Sequence, residues 1–118
     1  MILKKEHELL RKTVRDFVKR EMAVYPDEVD KTGKIPKDVI DKLAKYKFTS
    51  SIIPREYGGA GADYVSYAII MEEISRRCAS TGTYITAASS LVALPLVNFG
   101  TPEQKEKYLR PLAEGKYI

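Results

Sequence analysis

Apolar residues recur at helical spacing from the start of the chain. Leu3, Leu10, Val14, Phe17, Val18 and Met22 fall on one side of a helix drawn over residues 3–23, and Lys, Arg and Glu fill the other. That pattern predicts an amphipathic helix with one wet face. Pro26 and the polar run over 27–34 break it. Pro36 suits the first turn of a second helix. Its stripe is Val39, Ile40, Leu43 and Ala44, and it should end near Lys47. Residues 48–62, FTSSIIPREYGGAGA, read as a sharply turned loop whose glycines supply backbone angles that other residues cannot reach. Asp63 is a plausible N-cap for a third helix over roughly 64–78. There Tyr64, Val65, Tyr67, Ala68, Ile69, Ile70, Met71 and Ile74 surround nearly the whole cylinder. A helix apolar all round is buried on more than one side. A fourth helix runs from near Thr81 to about Phe99, with Pro95 as a candidate kink and Gly100 as its C′ residue. Thr101-Pro102-Glu103-Gln104 has the form of a capping box. It opens a last helix that turns Tyr108, Leu109 and Leu112 inward and stops at Gly115. The expected fold is all-α, a bundle of about five helices in a single domain, 1–118.

Charge changes this picture at one place. Residues 78–102, CASTGTYITAASSLVALPLVNFGTP, hold no Asp, Glu, Lys, Arg or His, in a chain that is 31% charged. A membrane, a core or an apolar ligand could account for that. The continuous apolar part, LVALPLV, is far shorter than the roughly 20 residues a bilayer needs, so a membrane span is not expected. The 44% hydrophobic content and 118 residues are enough for a real core.

The net charge of +4 is spread along the chain with no block of like charges, and nucleic-acid binding is not expected. The single cysteine, Cys78, excludes an intrachain disulfide framework and reads as a small buried apolar residue. One histidine, His7 near a fraying terminus, and one cysteine make no ordinary zinc site. The glycines at 58, 59 and 61 match no phosphate-binding motif. Glu72–Arg76 and Glu73–Arg77 have the favourable i,i+4 order and read as structural ion pairs. Adjacent helical positions diverge by about 100°, so Glu72 and Glu73 do not converge on one substrate atom. The N-terminus shows neither a signal-peptide nor a transit-peptide pattern, which gives a cytoplasmic expectation.

Two stretches carry a resemblance. PREYGGAGADYVSYAIIMEEISRRCASTG, residues 54–82, resembles the P-E-E-Y-G-G…E-E signature of acyl-CoA dehydrogenases. FGTPEQKEKYLRPLAEGKYI, residues 99–118, is similar to that family's G-T-x-E-Q-K-x-x-Y-L-x-P-L-A-x-G segment. The resemblance covers essentially the whole chain. It implies the N-terminal all-α domain of an FAD-dependent enzyme of fatty-acid metabolism, with a β-domain and a C-terminal helical domain beyond it. That family removes hydrogens from Cα and Cβ of an acyl-CoA thioester and usually passes electrons to electron-transfer flavoprotein. No residue here matches the catalytic glutamate or the flavin-binding segment. The domain is therefore not expected to be catalytic or to hold FAD by itself. One departure stands out. Where the family has glycines, this chain reads Tyr46-Lys47-Phe48-Thr49-Ser50-Ser51.

The resemblance also explains the uncharged segment, because the equivalent helix walls the acyl pocket. An unpaired charge against an apolar acyl tail would be costly. Tyr84, Ala88 and Leu91, at i, i+4 and i+7, together with Ile85, are the expected acyl-facing residues; ordinary core packing uses the same spacing. A bulky Tyr84 in the pocket would favour short, branched or alicyclic acyl groups. The alternative is a stand-alone helical interaction or oligomerisation module of the same ancestry. In either case the isolated chain is expected to self-associate or to be marginally stable, because its apolar helices need cover.

Overall fold

The computed structural model describes residues 3–22 and 25–116. All regular structure among them is helical. In chain order the elements are α1 (Lys5–Glu21), α2 (Tyr25–Thr32), α3 (Lys37–Lys45), a single 3-10 turn (Arg55–Tyr57), α4 (Tyr64–Arg77), α5 (Ala79–Phe99) and α6 (102–113). The described part of the molecule is a slab of 41 × 37 × 19 Å. A thickness of 19 Å holds about two layers of helix, so each helix has cover on one side and needs more for the other.

The first core lies where α1, α3 and α4 meet. Val14, Phe17, Leu43, Phe48, Ile70, Ile74 and Ile85 are buried there. Phe17 meets Tyr46 and Phe48 edge-on at ring separations of 5.2 and 5.0 Å. Such aromatic pairs add about 0.5–1.5 kcal/mol beyond the area they bury. A second, smaller core joins Ile53 to Ala88 and Ala93 of α5 and to Leu109, Leu112 and Ala113 of α6.

Local chemistry sets the element boundaries. Asp63 Oδ1 accepts the Ser66 amide at 2.8 Å, which is the expected N-cap of α4. Thr101 and Gln104 close the expected capping box: the Thr101 amide donates to Gln104 Oε1 at 2.9 Å and the Gln104 amide to Thr101 Oγ1 at 3.1 Å. His7 does not sit loose at a terminus. It is buried, its Nδ1 accepts the Lys4 amide at 3.2 Å, and its Nε2 lies 2.9 Å from Asp63 Oδ2. This clasp ties the start of α1 to the cap of α4. The Asp63 carboxyl is held well below the usual carboxylate range, first by its hydrogen bonds from Ser66 and then by His7.

Three expectations need correction. The break after α1 contains a two-turn helix, α2, that buries Val29; the expected end of the first helix at residue 23 lies outside the described residues. Glu72 and Glu73 do not pair along their own helix as i,i+4 partners. Arg11 Nη1 lies 3.0 Å from Glu72 Oε1 and 3.0 Å from Glu73 Oε1, and Arg15 Nη2 lies 2.6 Å from Glu73 Oε1. Packing of α1 on α4 brings those arginines closer than the expected Arg76 and Arg77, and Arg77 Nε instead donates to the Met22 carbonyl at 2.8 Å. Gly100 has extended backbone, with φ −72° and ψ 152°, and not the left-handed cap geometry; it leaves room for the Leu96 carbonyl, 2.6 Å from where a Cβ would stand.

The stretch over 46–51, which contains no glycine, is tightly turned. Lys47 carries a φ of +61°, a left-handed conformation that costs a residue with a Cβ about 1–2 kcal/mol. Ser50 and Ser51 are fully buried, and their hydroxyls have no hydrogen-bond partner. Downstream, Gly59 passes so close to Ile53 that an added Cβ would lie 2.1 Å from the Ile53 carbonyl oxygen. That glycine serves close packing of the loop.

Candidate functional site

α5 is the one described helix that is both long and without a charge. It begins one residue after α4 ends, with extended Cys78 as the break. α4 and α5 then run back against each other. A Cβ on Gly82 would lie 2.0 Å from Ser75 Oγ and 3.0 Å from Ser75 Cβ, so any larger residue at this close crossing would force the serine side chain to move. Farther along, Thr86 Oγ1 faces the Met71 sulfur at 3.6 Å, and the Tyr67 and Ser90 hydroxyls bond at 2.7 Å. On its other flank, Ser89 Oγ donates to the Thr49 carbonyl at 3.0 Å. Thr86, Ser89 and Ser90 of α5 thus face its neighbours and bond to them, while exposed Thr83 donates back to the Ala79 carbonyl of its own helix at 3.1 Å.

The middle of α5 is wound wide. Over Ala87–Ala93 the helix takes π-type turns, and the Leu94 amide reaches back five residues to the Ser89 carbonyl. Pro95 explains the widening. A proline removes one amide, and its ring crowds the carbonyl four residues back. Opening the preceding turn relieves that crowding. The same arrangement recurs in α6, where wide turns over Lys105–Leu109 precede Pro111.

Wide turns shift which residues share a face, and the structure does not bring the four expected residues together. Tyr84 is half-buried against the first core, and burial together with the charge of Asp41 pushes its hydroxyl pKa up. Ile85 is fully buried in that same core, and Ala88 is buried in the second. Leu91 points outward, 70% exposed. It stands in an i, i+4 row of exposed residues: Thr83, Ala87, Leu91, Pro95 and Phe99. Val92 and Asn98 flank that row, and Phe99 is 88% exposed. The row was readable as every fourth uncharged position. Of this row, Leu91 alone was among the expected acyl-facing residues.

The uncovered face is substantial. Only 28% of the most apolar window of this 21-residue helix is buried. By length and composition alone α5 is long and apolar enough to cross a bilayer, because the helix continues through Gly82 and Pro95 instead of ending at them. What this face offers chemically is a dry, uncharged wall. It has no acid, base or nucleophile, and it would exclude water from whatever lies against it.

The long bare helix on a thin helical slab is the feature to set beside known proteins. The chain belongs to the acyl-CoA dehydrogenase N-terminal domain family, whose model, "Acyl-CoA dehydrogenase, N-terminal domain", matches residues 4–116. It is 47% identical over 116 residues to 3-(aryl)acrylate reductase of Clostridium sporogenes, covering 98% of this chain and 31% of that protein. It is 39% identical over 117 residues to the caffeyl-CoA reductase-Etf complex subunit CarC of Acetobacterium woodii, again 98% of this chain and 31% of that one. Among solved structures, butyryl-CoA dehydrogenase from Megasphaera elsdenii superposes with a TM-score of 0.88 at 33% identity, covering 100% of this chain and 32% of that one. The chain therefore spans about a third of the length of the relatives it matches.

Proposed function

We propose that this domain forms one wall of the acyl pocket in an FAD-dependent enzyme that adds or removes hydrogen across the Cα–Cβ bond of an acyl thioester. The single observation that carries the reading is the exposed row Thr83, Ala87, Leu91, Pro95 and Phe99, a surface without charge in a chain otherwise rich in it. Leu91 and Ala87 face the acyl group. Ile85 and Ala88 hold the helix in place from behind, and Tyr84 borders the pocket from its half-buried position. The rest of the face docks on the remaining domains. No set of side chains among the described residues is assigned to FAD; a flavin held elsewhere in such an enzyme would supply the hydride chemistry at Cβ. The work of this domain is to shape and dry the site.

Reduction of aryl-substituted propenoyl groups is the preferred direction and substrate. Two of the relatives carry reductase names, one for 3-arylacrylates and one for caffeyl-CoA. The small Ala87 leaves space on the wall for a flat ring. Electron-transfer flavoprotein is the proposed electron partner, since the caffeyl-CoA reductase relative is named as part of an Etf complex. The test is steady-state kinetics of the enzyme that carries this domain, with aryl-propenoyl, short and long acyl thioesters. Aryl-propenoyl and short substrates should be favoured. Ala87→Leu should lower kcat/KM for the aryl substrate by about tenfold, the scale of one misfitted side chain in an apolar pocket. Equal turnover of all three by both proteins would contradict the assignment of this wall.

A further inference from the structure

We propose that the groove between the last turns of α1 and α4 docks an acidic segment of a partner protein. It lies apart from the α5 face and shares no residue with it. Arg15 and Lys19 of α1 and Arg76 and Arg77 of α4 line it, with Val18 as its apolar patch and Glu73 as the one carboxylate among its lining residues. Its volume is about 270 Å³. Four cations against one carboxylate leave a surplus of three positive charges.

The carboxylate is already engaged. Glu73 is 4% exposed and receives Arg11 at 3.0 Å and Arg15 at 2.6 Å. Arg76 stands farther off, at 3.8 Å, with its side chain 65% exposed. Lys19 is exposed as well. The ends of two helices account for some of this charge, since cations favour the C-terminal carbonyls. Arg77 does that for α1 through its bond to Met22 O. Lys19 and Arg76 remain at the mouth of the groove, where they present solvated charge on either side of an apolar strip.

That combination suits the side chains of Asp and Glu. Guanidinium groups grip carboxylates in a planar, two-bonded manner, and the methylenes of a glutamate match Val18. Nucleic acid fits less well, because no aromatic ring lines the groove to stack a base. A positive patch of this kind also steers an oppositely charged partner during encounter.

The test is a titration of the 118-residue chain with hexaglutamate peptide at about 0.15 M ionic strength, where the Debye length is about 8 Å, followed by backbone amide NMR. Saturable shifts should centre on the α1 and α4 ends. Lys19→Glu and Arg76→Glu should each weaken binding by about fivefold or more, with helical circular dichroism unchanged. Lys107→Glu on α6 makes the same change in net charge and should leave the affinity within about twofold, since exposed charges beyond a Debye length are screened. Equal weakening by Lys107→Glu would overturn the proposal, as would the absence of saturable shifts. Displacement of the peptide by inorganic phosphate at matching concentration would also overturn it, by showing a small-anion site instead.

Discussion

Helices α1 and α5 both bury one side and expose the other, and they finish their exposed sides in opposite ways. α1 covers its outer face with Lys5, Glu8, Lys12, Asp16 and Lys19, residues that water solvates well. α5 leaves Thr83, Ala87, Leu91, Pro95 and Phe99 outside, without a charge among them. Their inner faces meet in one core, through Val14 and Phe17 of α1 and Ile85 of α5. Core packing therefore does not separate the two helices. The difference lies in what their outer faces offer: α1 presents charge, and α5 presents an uncharged, largely apolar surface.

Mutations can break or sharpen that contrast. The largest effect belongs to the inner face. Phe17→Ala should destabilise the chain by about 3–5 kcal/mol in chemical denaturation, since it empties a site packed by two further aromatic rings. Glu73→Gln should cost about 2 kcal/mol, because two arginines of α1 lose a charged acceptor. The same residue predicts an acid response. Arg15 first, and then Arg11, hold the Glu73 carboxyl below its ordinary value. Its stabilising contribution is therefore complete above the unfolded value near 4.3 and is lost as pH falls through the lower folded value. Thermal melts across that acid range should show a loss of stability that Glu73→Gln reduces. Lys47→Gly should stabilise by about 1 kcal/mol by relieving its left-handed backbone, and no change in the melting midpoint would argue against strain there. The smallest effect is the most telling for α5. Leu91→Lys should change the stability of the 118-residue chain by no more than about 0.5 kcal/mol. It should also make the chain less prone to self-association in sedimentation.

Much of the architecture was legible in sequence because its signals are local. Asp63, Thr101 and Gln104 announce helix starts through their own side-chain bonds. α2 was missed because Tyr25–Thr32 carries Pro26, Asp27, Glu28 and Asp30, residues that read as a break; they also suit the beginning of a helix, and Val29 is its buried apolar anchor. The ion pairs of Glu72 and Glu73 were placed on the wrong arginines because cross-helix partners cannot be read from spacing within one helix. The site was legible only in outline. The absence of charge drew attention to α5, while the wide turns before Pro95 separate residues that ideal spacing had placed on one face. Local spacing assumes ideal turns, and a proline in mid-helix is where that assumption fails.

The most direct test of the central claim is the thiol reactivity of Leu91→Cys, measured in the 118-residue chain and in the enzyme that carries this domain. The native Cys78 is buried and gives the background rate. In the isolated chain Cys at position 91 should react at close to the rate of a free thiol. In the enzyme it should be protected by about a hundredfold, the protection expected when a partner surface excludes solvent, and a bound acyl thioester should protect it further. Equal rates in the two proteins, unaffected by ligand, would mean that the bare face of α5 is open to water, and that it walls no pocket.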